Sequence, residues 1–228
     1  MNSTDTAQNT ARYVGVLLIV GTVAGVLSYV FTGTITGDPD YLVQVSLNEN
    51  KIIIGALLVL IMGFFLAMVP VMMFPIFKNY NETLALGAVV FRGVLEAFSY
   101  IAVAISLLLL LAVSQEYVKA GTPDVSCYRT LASIILIAID RIGQIVGIVF
   151  SLGALMIYSL FYQSKLIPQW LSIWGLAGAV FYLSVPLLSL FGLVLEFLYI
   201  PLAVQEMILA IWLIVKGFNA PAVASHST

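Results

Sequence analysis

Six polar side chains interrupt long apolar runs: Arg92, Glu96, Asp140, Arg141, Gln144 and Glu206. Each charged one costs at least about 2.5–3.5 kcal/mol at the centre of a membrane-spanning helix. Facing lipid together is therefore excluded for Arg92, Glu96, Asp140, Arg141 and Glu206, and they must face one another, water or a ligand. Arg92 and Glu96 share one helical face by their spacing, with Ser99 and Ser106 extending the stripe. Asp140, Gln144, Gly147 and Ser151 fall within a stripe about 60° wide, with Arg141 at its edge. Glu206 is flanked by Ala203 and Ala210, a small-residue face. Carboxyls beside arginines in a low dielectric can pass a proton, hold a polar or ionic solute, or simply lock helix register. Three acids against two arginines leave one formal negative charge. One of Glu96, Asp140 or Glu206 is therefore expected to carry a proton or hold a cation.

Elements that could hold these residues follow from composition. Of 228 residues, 62% are apolar and 9% are Asp, Glu, Lys or Arg, against about 25% charged in soluble domains. That balance excludes a soluble globule, a disordered chain and a nucleic-acid binder. Six stretches reach the roughly 20 apolar residues that a bilayer requires: Tyr13–Ile35, Ile52–Phe77, Leu84–Val113, Thr130–Tyr162, Trp170–Phe191 and Tyr199–Phe218. They are too long and too continuously apolar for barrel strands. The expectation is an all-α, polytopic, six-transmembrane-helix bundle over 13–218, with loose tails at 1–12 and 219–228. The first run is too long for a cleavable signal.

Depth counts place the charges together. At ~1.5 Å per residue, Glu96 is about 18 Å into its run, Asp140 about 15 Å and Glu206 about 11 Å, all middle positions. One polar cluster between the third, fourth and sixth spans is expected. Lys and Arg near span ends set orientation. Arg12, Lys78, Lys165 and Lys216 fall on one side, and Lys51, Lys119 and Arg129 on the other with Asp38, Asp40, Glu49, Glu116, Asp124 and Glu196. Both termini are then cytoplasmic, and the connections Thr36–Asn50 and Ser114–Arg129 face outward. Gly21 with Gly25 and Gly143 with Gly147 form GxxxG pairs, read as close helix packing or oligomer faces. Pro70, Pro75, Pro186 and Pro201 are expected to kink or bound their helices.

Reactive chemistry is sparse. His226, in the tail, is the only histidine, which removes Ser–His hydrolysis, HExxH zinc and His-ligated haem from the spans. No phosphate-binding glycine loop is present. Cys127 is the only cysteine, so it has no internal disulfide partner. No cofactor, metal or nucleic acid is expected, and no enzymatic motif is found. The expected partners are the lipid bilayer and a small polar or ionic solute.

Three stretches, SQEYVKAGTPD (Ser114–Asp124), YQSKLIPQWLSIWGLAG (Tyr162–Gly178) and PLAVQEMILAIWLIVKGF (Pro201–Phe218), resemble the bacterial membrane proteins grouped as domain of unknown function 4386. The resemblance extends over RYVGVLLIVGTVAGVLS and DYLVQVSLNEN. It implies a six-helix bundle in a bacterial or archaeal cytoplasmic membrane, and it implies no activity and no catalytic residues. Glu206, inside the QEM of the last stretch, is the first residue to mutate. The leading reading is an integral membrane protein that binds or transports a small polar solute or proton. The alternative is a structural or regulatory membrane component whose cluster only fixes packing, and an intramembrane enzyme is third.

Overall fold

The computed structural model describes residues 3–120 and 125–219. His226, Asp124 and most of the C-terminal stretch 219–228 lie outside the described residues. The described chain is α-helical, without strands: α1 (Ser3–Thr36), α2 (Tyr41–Leu47), α3 (Glu49–Phe77), α4 (Glu82–Ala88), a π-helical segment (Val89–Leu95), α5 (Glu96–Ala120), α6 (Val125–Ser164), α7 (Gln169–Ser189), a 3₁₀ turn (Glu196–Tyr199) and α8 (Ile200–Val215). Among the described residues, six helices are long and apolar enough to cross a membrane; the third, Glu82–Ala120, combines α4, the π segment and α5. The expected all-α bundle is found.

Spans that follow one another in the chain pack side by side, and α8 returns to α1, so the six close into a ring. Short connections make consecutive helices antiparallel. The core lies in two patches. One joins Phe77, Phe161, Leu171 and Leu213 near the end where Ala7 and Phe218 lie; the other joins Ile52, Val59, Leu107 and Leu110 toward the opposite end. These ends are called the terminal face and the far face below.

Small and hydroxyl residues bring α1 onto α3. Ser28 donates to the Gly55 carbonyl at 2.8 Å, and a Cβ on Gly21 or Gly25 would strike Leu66 or Met62. That GxxxG pair packs within the bundle, as a close-approach motif should. The pair on α6 divides: Gly147 packs on Pro186, whereas nothing lies within 4 Å of a Cβ placed on Gly143.

Three expectations need correction. Ser3–Thr10 belongs to α1 instead of a loose tail, because Ala7 and Ala11 are buried and Gln8 grips the other end of the chain. Its amide donates to the Phe218 carbonyl at 2.7 Å and accepts from the Phe218 N–H at 3.0 Å. The connection Thr36–Asn50 contains α2, which buries Leu42 and Val45 against the far core. Cys127 lies in the first turn of α6 and is exposed.

Candidate functional site

Arg92 sits in the π segment. The Glu96 N–H bonds back to the Phe91 carbonyl, the five-residue step of a π-helix. Such wide turns occur mostly as single interruptions of α-helices and are frequent at functional sites. A turn with an extra residue brings positions four apart nearly into line, and Arg92 Nη1 lies 3.8 Å from Glu96 Oε2. The helix is seated by Gly153 of α6, where a Cβ would fall 2.9 Å from Arg92 Cβ and 3.0 Å from its backbone nitrogen.

From there the Arg92 side chain crosses the interior of the ring. Its Nη2 donates to Glu206 Oε1 on α8 at 2.8 Å, although the π segment and α8 barely touch by backbone. The guanidinium also lies 4.2 Å from the centroid of the Phe150 ring, within cation–π range. Exposure is 2% for Arg92, 1% for Glu96 and 15% for Glu206. Two carboxylates and one guanidinium leave one formal negative charge in the triad.

Hydrogen bonding in the triad is incomplete. Arg92 Nη1 and both Glu96 oxygens lack a hydrogen bond of good geometry among the described residues. Arg92 and Glu206 are the charged neighbours of Glu96, and the Tyr100 phenol lies within hydrogen-bonding reach of it without good alignment. Tyr158 of α6 and Tyr182 of α7 complete the set of titratable groups around the triad. A void of about 20 Å³ beside Arg92 and Glu206 is otherwise walled by apolar side chains such as Leu18, Met73 and Leu209.

Next to the triad is a fully satisfied polar contact. The Tyr158 hydroxyl donates to Gln205 Oε1 at 2.5 Å, and Gln205 Nε2 donates to the Leu171 carbonyl at 3.0 Å, tying α6, α7 and α8 together. Sequence reasoning missed Gln205, Tyr158, Tyr100 and Tyr182. The available signal was a polar atom inside an apolar run, applied above to charges and not to phenols.

Asp140, Arg141 and Gln144 do not join the triad, so the single cluster expected is two separate groups. Gln144 accepts from Arg141 Nη1 at 3.0 Å and donates to Asp140 Oδ2 at 3.1 Å and Ser189 Oγ at 3.2 Å. Asp140 and Arg141 are exposed. The depth estimate failed because it was counted from the far end of the run. From Ser164, at the terminal face, Asp140 is about 36 Å along α6, more than the full thickness of a core about 30 Å deep. Ser189, the last residue of α7, marks that level. These residues border a cleft of about 300 Å³ with Tyr182, Glu196 and Tyr199. Among the described residues, no three of His, Cys, Asp and Glu gather as metal ligands.

A ring of six apolar helices around a largely buried ion-pair triad defines a multi-pass helical membrane protein. The chain belongs to the family described as a domain of unknown function (DUF4386), which matches over residues 13–217. Comparison with the curated proteins finds no match, and comparison with the solved structures finds none.

Proposed function

We propose that this membrane protein takes up and releases a proton at the Arg92–Glu96–Glu206 triad. The observation that carries the reading is Glu96, 1% exposed and supported by no well-aligned hydrogen bond, with the Tyr100 phenol as its one hydroxyl neighbour, in a group where carboxylates outnumber the guanidinium. A buried carboxylate so poorly supplied with donors is costly. One proton on the pair of acids makes the triad neutral and supplies a donor. The adjoining void of about 20 Å³ has room for about one water. That space suits a proton and is too small for a polar solute.

The test is infrared spectroscopy of the purified protein as pH is varied. A protonated-carboxyl band that titrates in the wild type and is lost in Glu96→Gln or Glu206→Gln, with both variants folded, is the expected result. A band absent from the wild type, or unchanged in both variants, overturns the reading.

The second reading is a packing lock, and the 2.8 Å Arg92–Glu206 pair favours it. Buried polar pairs can specify helix register. On that reading the Gln variants lose folded protein in detergent and no titrating band exists.

We place the termini on the cytoplasmic side of a bacterial or archaeal cell membrane. Arg12, Lys78, Lys165 and Lys216 at the terminal face support this. Arg141, near the far edge of the membrane, evens the basic count, so labelling of Cys127 is the deciding measurement.

A further inference from the structure

The cleft at the far face points toward the triad, and two stacked rings, Tyr182 and Phe150, stand between them. Tyr182 lines the cleft beside Asp140, Gln144 and Glu196. Its ring packs at 4.3 Å on Tyr199, which also lines the cleft, and at 4.7 Å on Phe150. Phe150 in turn carries the Arg92 guanidinium on its face. The Tyr182 phenol is an electrostatic neighbour of Glu206, Glu96 and Arg92. A vestibule therefore reaches inward from the far face as far as Tyr182, and the triad begins beyond the Phe150 ring stacked on that residue.

The terminal side is built differently. The void beside the triad is closed there by Val14, Met73, Phe161 and Leu213, all buried. The polar groups on that side, Tyr158 and Gln205, spend their hydrogen bonds on each other and on Leu171. The cleft side is more mixed: buried Val146 and Val185 line its inner end and Phe150 lies behind Tyr182, but Gly143 opens onto empty space, and Asp140 and Glu196 supply carboxylates at its mouth. Surface carboxylates raise the local concentration of cations, protons included.

We infer that the cleft between α6 and the α7–α8 connection is the aqueous entrance through which the triad exchanges its proton, with Tyr182 as its floor, and that exchange is one-sided, from the far face. The inference rests on the proton-binding reading above. It concerns access to Glu96 and Glu206 past Arg92, Tyr100, Tyr158 and Tyr182, the titratable and charged groups around them.

The test uses the rate at which the protonated-carboxyl band shifts after mixing with D₂O. Cys127 is first replaced by Ser. Gly143→Cys, where the added side chain meets open space, and Val194→Cys, on the exposed cleft wall, are each modified with a bulky water-soluble maleimide. Lys78→Cys at the terminal face is modified as the reference. The expected result is exchange slowed roughly tenfold by either cleft label, about 1.4 kcal/mol in barrier, and unchanged by the Lys78→Cys label. A band present, lost in Glu96→Gln and yet indifferent to both cleft labels overturns the entrance and leaves the proton site standing. Equal slowing by the Lys78→Cys label overturns one-sidedness. A band absent from the wild type overturns both proposals.

Discussion

Arg92 and Glu206 meet at 2.8 Å although 114 positions separate them in the chain. The contact crosses the middle of a six-helix ring, between spans whose backbones scarcely approach. A planar guanidinium on a long stem is suited to this, since it reaches one carboxylate and faces a second while stacked on an aromatic ring.

Removing that cation leaves two buried carboxyls with no counter-charge. Arg92→Met is expected to destabilise the protein by about 3–5 kcal/mol. Glu206→Gln, which keeps a hydrogen-bond acceptor opposite Arg92, should cost less. Thermal unfolding in one detergent compares the two, and an Arg92→Met protein as stable as wild type would refute the assignment of Arg92 as the central cation.

Two glycines on α6 should respond oppositely to the same substitution. Gly153→Ala forces a methyl group against the Arg92 backbone and is expected to cost about 1–3 kcal/mol. Gly143→Ala enters open space and is expected to stay within about 0.5 kcal/mol of wild type. Equal effects would contradict the seating of the π segment on Gly153.

The Tyr158–Gln205 bond should show as an energetic coupling. Gln205→Leu strands the Tyr158 hydroxyl, at about 1–3 kcal/mol for a buried group left unpaired, whereas the Leu171 carbonyl stays within the helical ladder of α7. Adding Tyr158→Phe removes the stranded group, so the double variant should lose less than the two single losses combined. Strict additivity in unfolding measurements would argue against the bond.

Cys127 reports orientation. It is exposed in the first turn of α6, at the far face. A membrane-impermeant maleimide is expected to label it in intact cells. Labelling only after permeabilisation would reverse the proposed topology.

The candidate site was legible in the sequence only in pieces. Arg92 and Glu96 were readable as a pair because four residues nearly complete one helical turn, a local property of the chain. Glu206 was readable as a buried acid but not as the partner of Arg92. Asp140 and Arg141 were misplaced because α6, at 40 residues, is about 60 Å long, and its own hydropathy does not say which stretch of it lies in the bilayer. The end of α7 beside Gln144 does. The π segment left no readable sign, since its apolar residues suit an α-helix equally well.

Composition and run length alone determined that the protein is a helical bundle of six spans. Lipid excludes unpaired backbone and stray charge so strongly that 62% apolar residues in six long runs admit one class of structure. Which charges meet was decided only by the tertiary structure. Partnership across a bundle depends on how each helix is rotated and raised against its neighbours. Those settings come from Gly153 under the π segment, from Ser189 beside Gln144, and from an arginine long enough to cross the interior.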